Sequence, residues 1–288
     1  MPITKMTTMK IGILREGKNP PDKRVALTPD QCMQLQAAYP EVELVVQKSS
    51  IRCFTDKQYA DLGIAMSTDV NDCEVLMGVK EVPKDELIAD KTYFYFSHTT
   101  KEQPYNRELL LTMMELNIKM VDYESLTEMS GKRLIGFGRY AGVVGCYNGF
   151  LAYGRRTGRY NLKAAHQFFD RKEMEQEMEK IDLPNIKIII TGNGRVGKGA
   201  LEIIHALNLK EVSKDAFVSE TFEEPVFVHL DTIDYSVRKD EGIASKIDFY
   251  SHPQEYKSSF MQYAEHADVF IAGHFYASDS PYLFTRED

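Results

Sequence analysis

The chain has 288 residues, four cysteines and a formal net charge of −8. Its length suits about two domains with ordinary cores, and its 43% hydrophobic content is that of a globular chain. The negative charge speaks against a general nucleic-acid or anionic-membrane binder. The scattered Cys32, Cys53, Cys73 and Cys146 form no C-x-x-C pair, which argues for reduced thiols and against a disulfide frame or a metal site. No apolar run approaches the roughly 18 residues of a membrane span. The stretch Met1 to Met9 lacks the apolar core of a secretory signal. A cytoplasmic protein is therefore expected, with residues 1–8 a loose extension or Met9 the true start.

In chain order, Lys10 to Leu14 reads as a short strand, followed by a charged loop, residues 15–24, with two prolines. Thr28 then caps a helix with Pro29 in its first position, running to about Ala38. Val42 to Gln47 is a strand, and a helix over Asp56 to Leu62 starts from Thr55. Glu74 to Val79 is a strand ending at Lys80, and Thr92 to Phe96 one ending at Ser97-His98. A helix over Arg107 to Asn117 leads to the strand Lys119 to Asp122, which ends at Tyr123-Glu124. Strands alternating with helices in this way imply a mostly parallel α/β sheet.

Ligands of such sheets bind beyond the carboxyl ends of the strands. Lys80, His98 and Glu124 each follow a strand, as does the loop after Leu14. Taken singly, Lys80 reads equally as a solvated loop lysine, His98 as a structural histidine and Glu124 as a helix cap. Their joint placement points to one crevice.

A long apolar helix follows over Arg139 to Gly154, with Gly142, Gly145 and Gly149 near one face for close helix packing. The basic run 155–159 suits a solvated helix C-terminus. Lys172 to Lys180 is a charged helix. The stretch that organises the second half is Ile186 to Ala200. Ile186 to Ile190 is a buried strand, Gly192, Gly194 and Gly197 form G-x-G-x-x-G, and a helix runs on to about Leu207. In this strand–turn–helix context the first glycine allows the turn, the second lets backbone approach a pyrophosphate and the third lets helix pack on strand. Gly192, Gly194, Arg195, Val196 and Gly197 are thus the expected dinucleotide contacts.

Residues 210–224 read as an insertion before the strand Val226 to Leu230. Asp231 ends that strand and could bind the ribose hydroxyls of NAD, although it lies 34 residues beyond Gly197 where about 20 is usual. Glu255 to Ala264 is expected as a helix and Asp268 to Ala272 as a strand with the exit loop Gly273-His274-Phe275-Tyr276. Three clear strands follow from the glycine loop onward, where a complete two-half fold has about six. The second domain is therefore expected to be incomplete, the chain being either a fragment or unusually short.

The opening Leu14-Arg15-Glu16 with Lys23-Arg24-Val25-Ala26-Leu27-Thr28-Pro29, then Val79-Lys80-Glu81-Val82-Pro83, Phe96-Ser97-His98, Asp122-Tyr123-Glu124 with Arg133, and Phe137 to Gly142 resemble the alanine dehydrogenase/pyridine nucleotide transhydrogenase superfamily. Within it they are most similar to NAD-dependent, lysine-forming saccharopine dehydrogenases, over residues 10–286. The resemblance implies an α/β chain of two Rossmann-like domains with mostly parallel sheets and an interdomain cleft. A substrate domain would span residues 9–137 and a dinucleotide-binding domain 138–288. It implies NAD as cofactor and a small amino or imino acid as substrate. Hydride would leave a C–H bond next to an amine, and the resulting imine would be hydrolysed. Arg24 would hold a substrate carboxylate with help from Arg133, Lys80 and His98 would be the acid and base, and Glu124 their charge partner. Alanine dehydrogenase and a non-catalytic dinucleotide-binding relative stay open as alternatives, as does homo-oligomerisation.

Overall fold

The computed structural model describes residues 8–288. The extension expected over residues 1–8 lies, but for residue 8, outside the described residues. The chain divides into two compact units, Met1–Gly136 and Phe137–Asp288.

The first unit is built on six strands: β1 (Met9–Ile13), β2 (Val42–Gln47), β3 (Ala65–Ser67), β4 (Val75–Lys80), β5 (Thr92–Phe96) and β6 (Lys119–Asp122). They form one parallel sheet in the order β3-β2-β1-β4-β5-β6. Helices α1 (Pro29–Ala38), α2 (Asp56–Ala60) and α3 (Arg107–Glu115) connect them. Thr28 and Thr55 each start a helix by a reciprocal capping box, with Gln31 and Gln58 respectively, which satisfies two otherwise orphan N–H groups per helix. Leu44 and Val46 face one core with Ile13 and Tyr59, while Val45 faces the other with Leu76, Tyr93 and Tyr95. Both faces are covered, as a parallel sheet requires. The edge strand β3 is absent from the sequence reading because three residues carry no measurable period.

Strand order reverses between β1 and β4, the topological switch point where open α/β sheets bind ligands. A register shift lies between Met77 and Lys80 where β4 pairs with β5. It falls at the strand end that carries Lys80.

The second unit opens with α4 (Gly138–Thr157) and α5 (Arg171–Met178). Next come β7 (Lys187–Thr191), α6 (Arg195–Ala206), β8 (Lys210–Glu211), α7 (Lys214–Ser219), β9 (Val226–Leu230) and α8 (Thr232–Tyr235). The remainder is β10 (Ser236–Arg238), α9 (Lys246–Ser251), β11 (Tyr256–Ser258), α10 (Met261–Ala264) and β12 (Val269–Ala272). A four-stranded parallel sheet has the order β12-β7-β9-β8, and β10 pairs antiparallel with β11. Ile188 and Ile190 of β7 face one core and Ile189 the other, all fully buried.

Three expectations are corrected here. Residues 210–224 are not an excursion from the fold: β8 extends the sheet edge, Ser213 caps α7, and Phe217 is fully buried. The parallel sheet of this unit accordingly has four strands among the described residues, not three. The helix expected over Glu255–Ala264 is instead the strand β11 and the short α10. Tyr256 is buried and Lys257 exposed, a period of two. The Ser258 hydroxyl then accepts from the Phe260 amide at 3.1 Å, a local side-chain bond that interrupts helix.

The α4–α6 pair packs backbone to backbone. A Cβ on Gly142 would lie 1.9 Å from the Val196 carbonyl oxygen, and one on Gly199 2.0 Å from that of Arg139. Gly149 faces Ile271, but nothing lies within 4 Å of a Cβ on Gly145, so the packing role expected for that glycine is not found.

Candidate functional site

Two sites emerge, one in each unit. At the carboxyl end of the first sheet, Lys80 ends β4, His98 follows β5 and Glu124 follows β6. The structure brings them together. Lys80 Nζ lies 3.4 Å from His98 Nε2, and His98 Nδ1 lies 3.1 Å from Glu124 Oε2. Glu124 Oε1 also forms ion pairs with Lys101 Nζ at 3.1 Å and Arg133 Nη2 at 3.2 Å. Lys101 Nζ stands 3.1 Å from His98 Nδ1 as well. An ammonium only donates and an ionised carboxylate only accepts. Nδ1–H donating to Glu124, with the Nε2 lone pair turned to Lys80, satisfies the set, and Lys101 then belongs to Glu124. The tautomer is assigned from these partners.

His98 has φ 56° and ψ 10°, in the left-handed region that side chains with a Cβ seldom enter. Its carbonyl oxygen accepts from Lys101 N at 3.1 Å and Asn106 Nδ2 at 3.2 Å, which holds the conformation. Glu124 is 8% exposed. Burial pushes its carboxyl up, but hydrogen bonds from His98 and Lys101 and their charges outweigh it, leaving the group below the usual carboxylate range.

Glu16 sits beneath Lys80. Its Oε1 accepts from Val79 N at 2.7 Å and its Oε2 from Lys80 N at 2.9 Å, beside the register shift. Burial raises its carboxyl above the ordinary value despite these bonds. Arg24 donates from Nε to Asp22 at 2.9 Å, and its Nη2 reaches the same carboxylate. That bonding holds Asp22 below its ordinary range against the effect of burial, with the charges of Arg24 and Lys80 adding to it. Asp22, Lys101 and Glu16 were not singled out from sequence. Charged residues in charged loops look solvated, and only Glu16 carried a signal, inside the Leu14-Arg15-Glu16 run.

The second site lies over the glycine loop. A pocket of about 540 Å³ is lined by Gly192, Gly194, Arg195 and Val196, together with Asp231, Lys246, Tyr250 and the loop after β12. Gly192 has φ 96°, and a Cβ there would lie 2.5 Å from the Gly273 carbonyl oxygen. A Cβ on Gly197 would lie 1.8 Å from the Gly192 carbonyl oxygen, so that glycine sets how closely α6 approaches the turn. A Cβ on Gly194 meets nothing within 4 Å. That position borders the pocket, and the absent side chain leaves room for a ligand.

Asp231 reaches the pocket despite its distance in sequence because β9 pairs directly with β7, and β8 and α7 account for the extra residues between. Its Oδ1 accepts from Thr232 N at 2.8 Å, and its Oδ2 is paired with Lys246 Nζ. Burial pushes the carboxyl up, but the Lys246 bond leads the opposing contributions and the net shift is downward. His274 Nδ1 lies 2.7 Å from Thr191 Oγ1, and burial lowers the basicity of this ring. Lys246 and Tyr250 had no sequence signal, since α9 lies in a stretch without helical period. The residues present fit a dinucleotide: a glycine turn open to a pyrophosphate and an acid at the end of the neighbouring strand.

The alanine dehydrogenase/PNT N-terminal domain model matches residues 12–144. That part of the chain, 133 of the 288 residues, is similar to this family. An alpha-aminoadipic semialdehyde synthase, mitochondrial, from Rattus norvegicus is 28% identical over 306 residues, covering 96% of this chain and 32% of that protein. A saccharopine dehydrogenase (NAD(+), L-lysine-forming) from Yarrowia lipolytica is 25% identical over 215 residues, covering 69% of this chain and 58% of that one. A solved L-alanine dehydrogenase aligns over 86% of this chain and 64% of its own, with a TM-score of 0.48 at 15% identity. The chain spans about a third of the length of the first of these relatives. The Lys80–His98–Glu124 cluster falls within the family segment, and the glycine loop lies beyond it. Among the described residues, no helix is long and apolar enough to cross a membrane, and no group of three or more His, Cys, Asp or Glu side chains could hold a metal ion.

Proposed function

We propose that this chain is an NAD-dependent dehydrogenase acting on the C–N bond of an amino or imino acid, with a substrate of the saccharopine type. The observation that carries the reading is the line of three groups Lys80 Nζ, His98 Nε2/Nδ1 and Glu124 Oε2, with spacings of 3.4 and 3.1 Å, at the carboxyl end of a parallel sheet. The two relatives whose names include saccharopine or alpha-aminoadipic semialdehyde support the choice of substrate. Asp231 beside the glycine loop supports NAD.

When bound, a nicotinamide cofactor supplies hydride exchange with the substrate carbon. The protein's own groups do the rest. Arg24 offers a planar fork that suits a carboxylate. Asp22 now engages its Nε and Nη2, so a substrate carboxylate would bind this fork by displacing Asp22. Glu124 holds the Nδ1 proton of His98, which leaves Nε2 to exchange a proton with Lys80 Nζ. Proton transfer to and from the substrate nitrogen and the hydrolytic water would use this pair. Glu124 also offsets charge where Lys80, Lys101 and Arg133 gather.

The test is NADH oxidation followed at its absorbance band, with 2-oxoglutarate plus lysine in one reaction and pyruvate plus ammonia in another. Oxidation with the first pair only, lost in Lys80→Met and His98→Gln while the fold is retained, is the expected result. Oxidation with the second pair only would replace the substrate by alanine. Cofactor binding without turnover in either would remove the enzymatic reading.

A further inference from the structure

The hairpin β10–β11 and the helix α9 it brackets serve no purpose that the glycine loop itself requires. They are nonetheless firmly built. Arg238 binds Asp240 and Glu255 at 2.8 Å each and also pairs with Asp248 of α9, whose carboxylate accepts from the Tyr256 hydroxyl at 2.7 Å. Ser245 caps the helix by accepting from Asp248 N at 3.2 Å. The face of α9 so fixed carries Lys246 and Tyr250, four residues apart and therefore neighbours on one side. Both line the glycine-loop pocket. Tyr250 is 52% exposed and packs edge-on against Phe275, itself 70% exposed, with ring centroids 6.4 Å apart. Large aromatics gathered in the open around one pocket mark a binding surface.

The charges point the same way. Asp231 is the one carboxylate among the residues lining the pocket, against Arg195 and Lys246. Its two oxygens are engaged by Thr232 N and by Lys246. The Asn193 side chain bonds the same carboxylate, so a ribose hydroxyl that donates to Asp231 competes with both contacts, of which Lys246 is the charged one. The released ammonium would find no second carboxylate among those residues, and a phosphate of the ligand would offer it a new negative partner.

We propose that α9 reads the adenosine half of the dinucleotide: Tyr250 and Phe275 hold the base, and Lys246 passes from Asp231 to a phosphate oxygen of the ligand as the ribose hydroxyls take the carboxylate. This rests on the dinucleotide reading given above. A phosphate at this end comes either from the pyrophosphate or from a 2′-phosphate on the ribose, and both offer Lys246 the same charge-assisted bond.

Calorimetric titration of the full chain with adenosine, ADP-ribose and 2′-phospho-ADP-ribose tests it. Lys246→Met weakens the phosphate-bearing ligands about tenfold and leaves adenosine within about twofold. Loss of both phosphate ligands alike assigns Lys246 to the pyrophosphate, and a loss confined to the 2′-phosphorylated one assigns it to the 2′ position. Lys246→Arg restores most of the affinity, which a folding defect would not allow. Tyr250→Leu weakens all three ligands about fivefold. Equal loss of adenosine and ADP-ribose in Lys246→Met, or unchanged binding of all three, would overturn the inference while the dinucleotide reading stands. Absence of binding to the unmodified chain would overturn both.

Discussion

The two sites are made from opposite materials. The first unit gathers polar and charged side chains, Lys80, His98, Glu124, Lys101 and Arg133, at the carboxyl end of its sheet and links them through contacts of 3.1 to 3.4 Å. The second unit opens its pocket by leaving side chains out at Gly192 and Gly194, while Gly197 lets α6 close on the turn. A site of charges can be weakened gradually, since each member shares its partner with others. A site of backbone shape fails at once where one methyl group does not fit.

The largest effect expected from that contrast is therefore in the glycine loop, where two neighbouring substitutions should behave differently. In Gly197→Ala the new Cβ would lie 1.8 Å from a backbone oxygen that cannot move without shifting the turn. A destabilisation of about 3 kcal/mol is expected, read as a fall in Tm of about 6–12 °C, together with loss of dinucleotide binding. Gly194→Ala places its Cβ in open space at φ −79° and ψ −170°, a conformation any residue adopts. Its Tm should stay within about 2 °C while dinucleotide affinity falls about tenfold. Equal Tm losses in the two variants would break the distinction between a glycine kept for the fold and one kept for the ligand.

The same contrast explains what could be read from the chain. Strands β2, β5 and β9 have the bounds their hydrophobic runs suggest, because strands covered on both faces leave a continuous apolar signal. The positions of Lys80, His98 and Glu124 just past strand ends were legible for the same reason. What could not be read depends on partners remote in sequence. Strand β8 has two exposed residues and exists only because β9 offers an edge. Asp231 looked too distant because β8 and α7 lie between the glycine loop and its strand. Lys246 and Asp22 look like solvated charges until Asp231 and Arg24 are seen beside them. Glu255–Ala264 looks helical because the buried Tyr256 and Tyr263 stand seven residues, two helical turns, apart, until Ser258 is seen to accept from the Phe260 amide.

A middle-sized effect is expected at Glu124, which tests whether the charge cluster degrades gradually. Glu124→Gln keeps one acceptor for His98 or for the cations, but removes the charge that offsets them. The carboxylate is enclosed but Lys101 and Arg133 are 43% and 53% exposed, so solvent screening limits the stability cost to about 1 kcal/mol. Turnover should fall far more, since the His98 tautomer is no longer held. The folded carboxyl sits below its ordinary value. Its contribution is therefore full above the unfolded value near ~4.3 and is lost as pH falls below that through the lowered folded value. The Tm gap between Glu124→Gln and the unmodified chain should thus be widest near neutrality and shrink as the pH falls below the ordinary carboxylate range. A gap that widens on acidification would contradict the assigned pairing.

The smallest effect is expected from the ion cluster of the second unit, and it separates charge that carries chemistry from charge that only ties helices together. Glu202 of α6 accepts from Arg139 Nε at 2.6 Å and Nη2 at 2.8 Å on α4, and also pairs with Arg171 on α5. The bonds to Arg139, then that to Arg171, outweigh burial and hold its carboxyl at about 2. The sign matches Glu124: the contribution is present above the unfolded carboxyl value and fades as pH falls toward about 2. The environment differs, because Arg139 is 52% exposed and Glu202 30%, so screening is strong. Glu202→Gln should lower Tm by only about 1–2 °C at neutral pH and low salt. In about 1 M salt, where the Debye length is near 3 Å, that difference should nearly vanish while the one at the more enclosed Glu124 persists. NADH oxidation by Glu202→Gln should equal that of the unmodified chain at any salt concentration where both are folded. A turnover loss comparable to that of Glu124→Gln would mean that charge in the second unit also reaches the chemistry, and the division between a unit of charges and a unit of backbone shape would no longer hold.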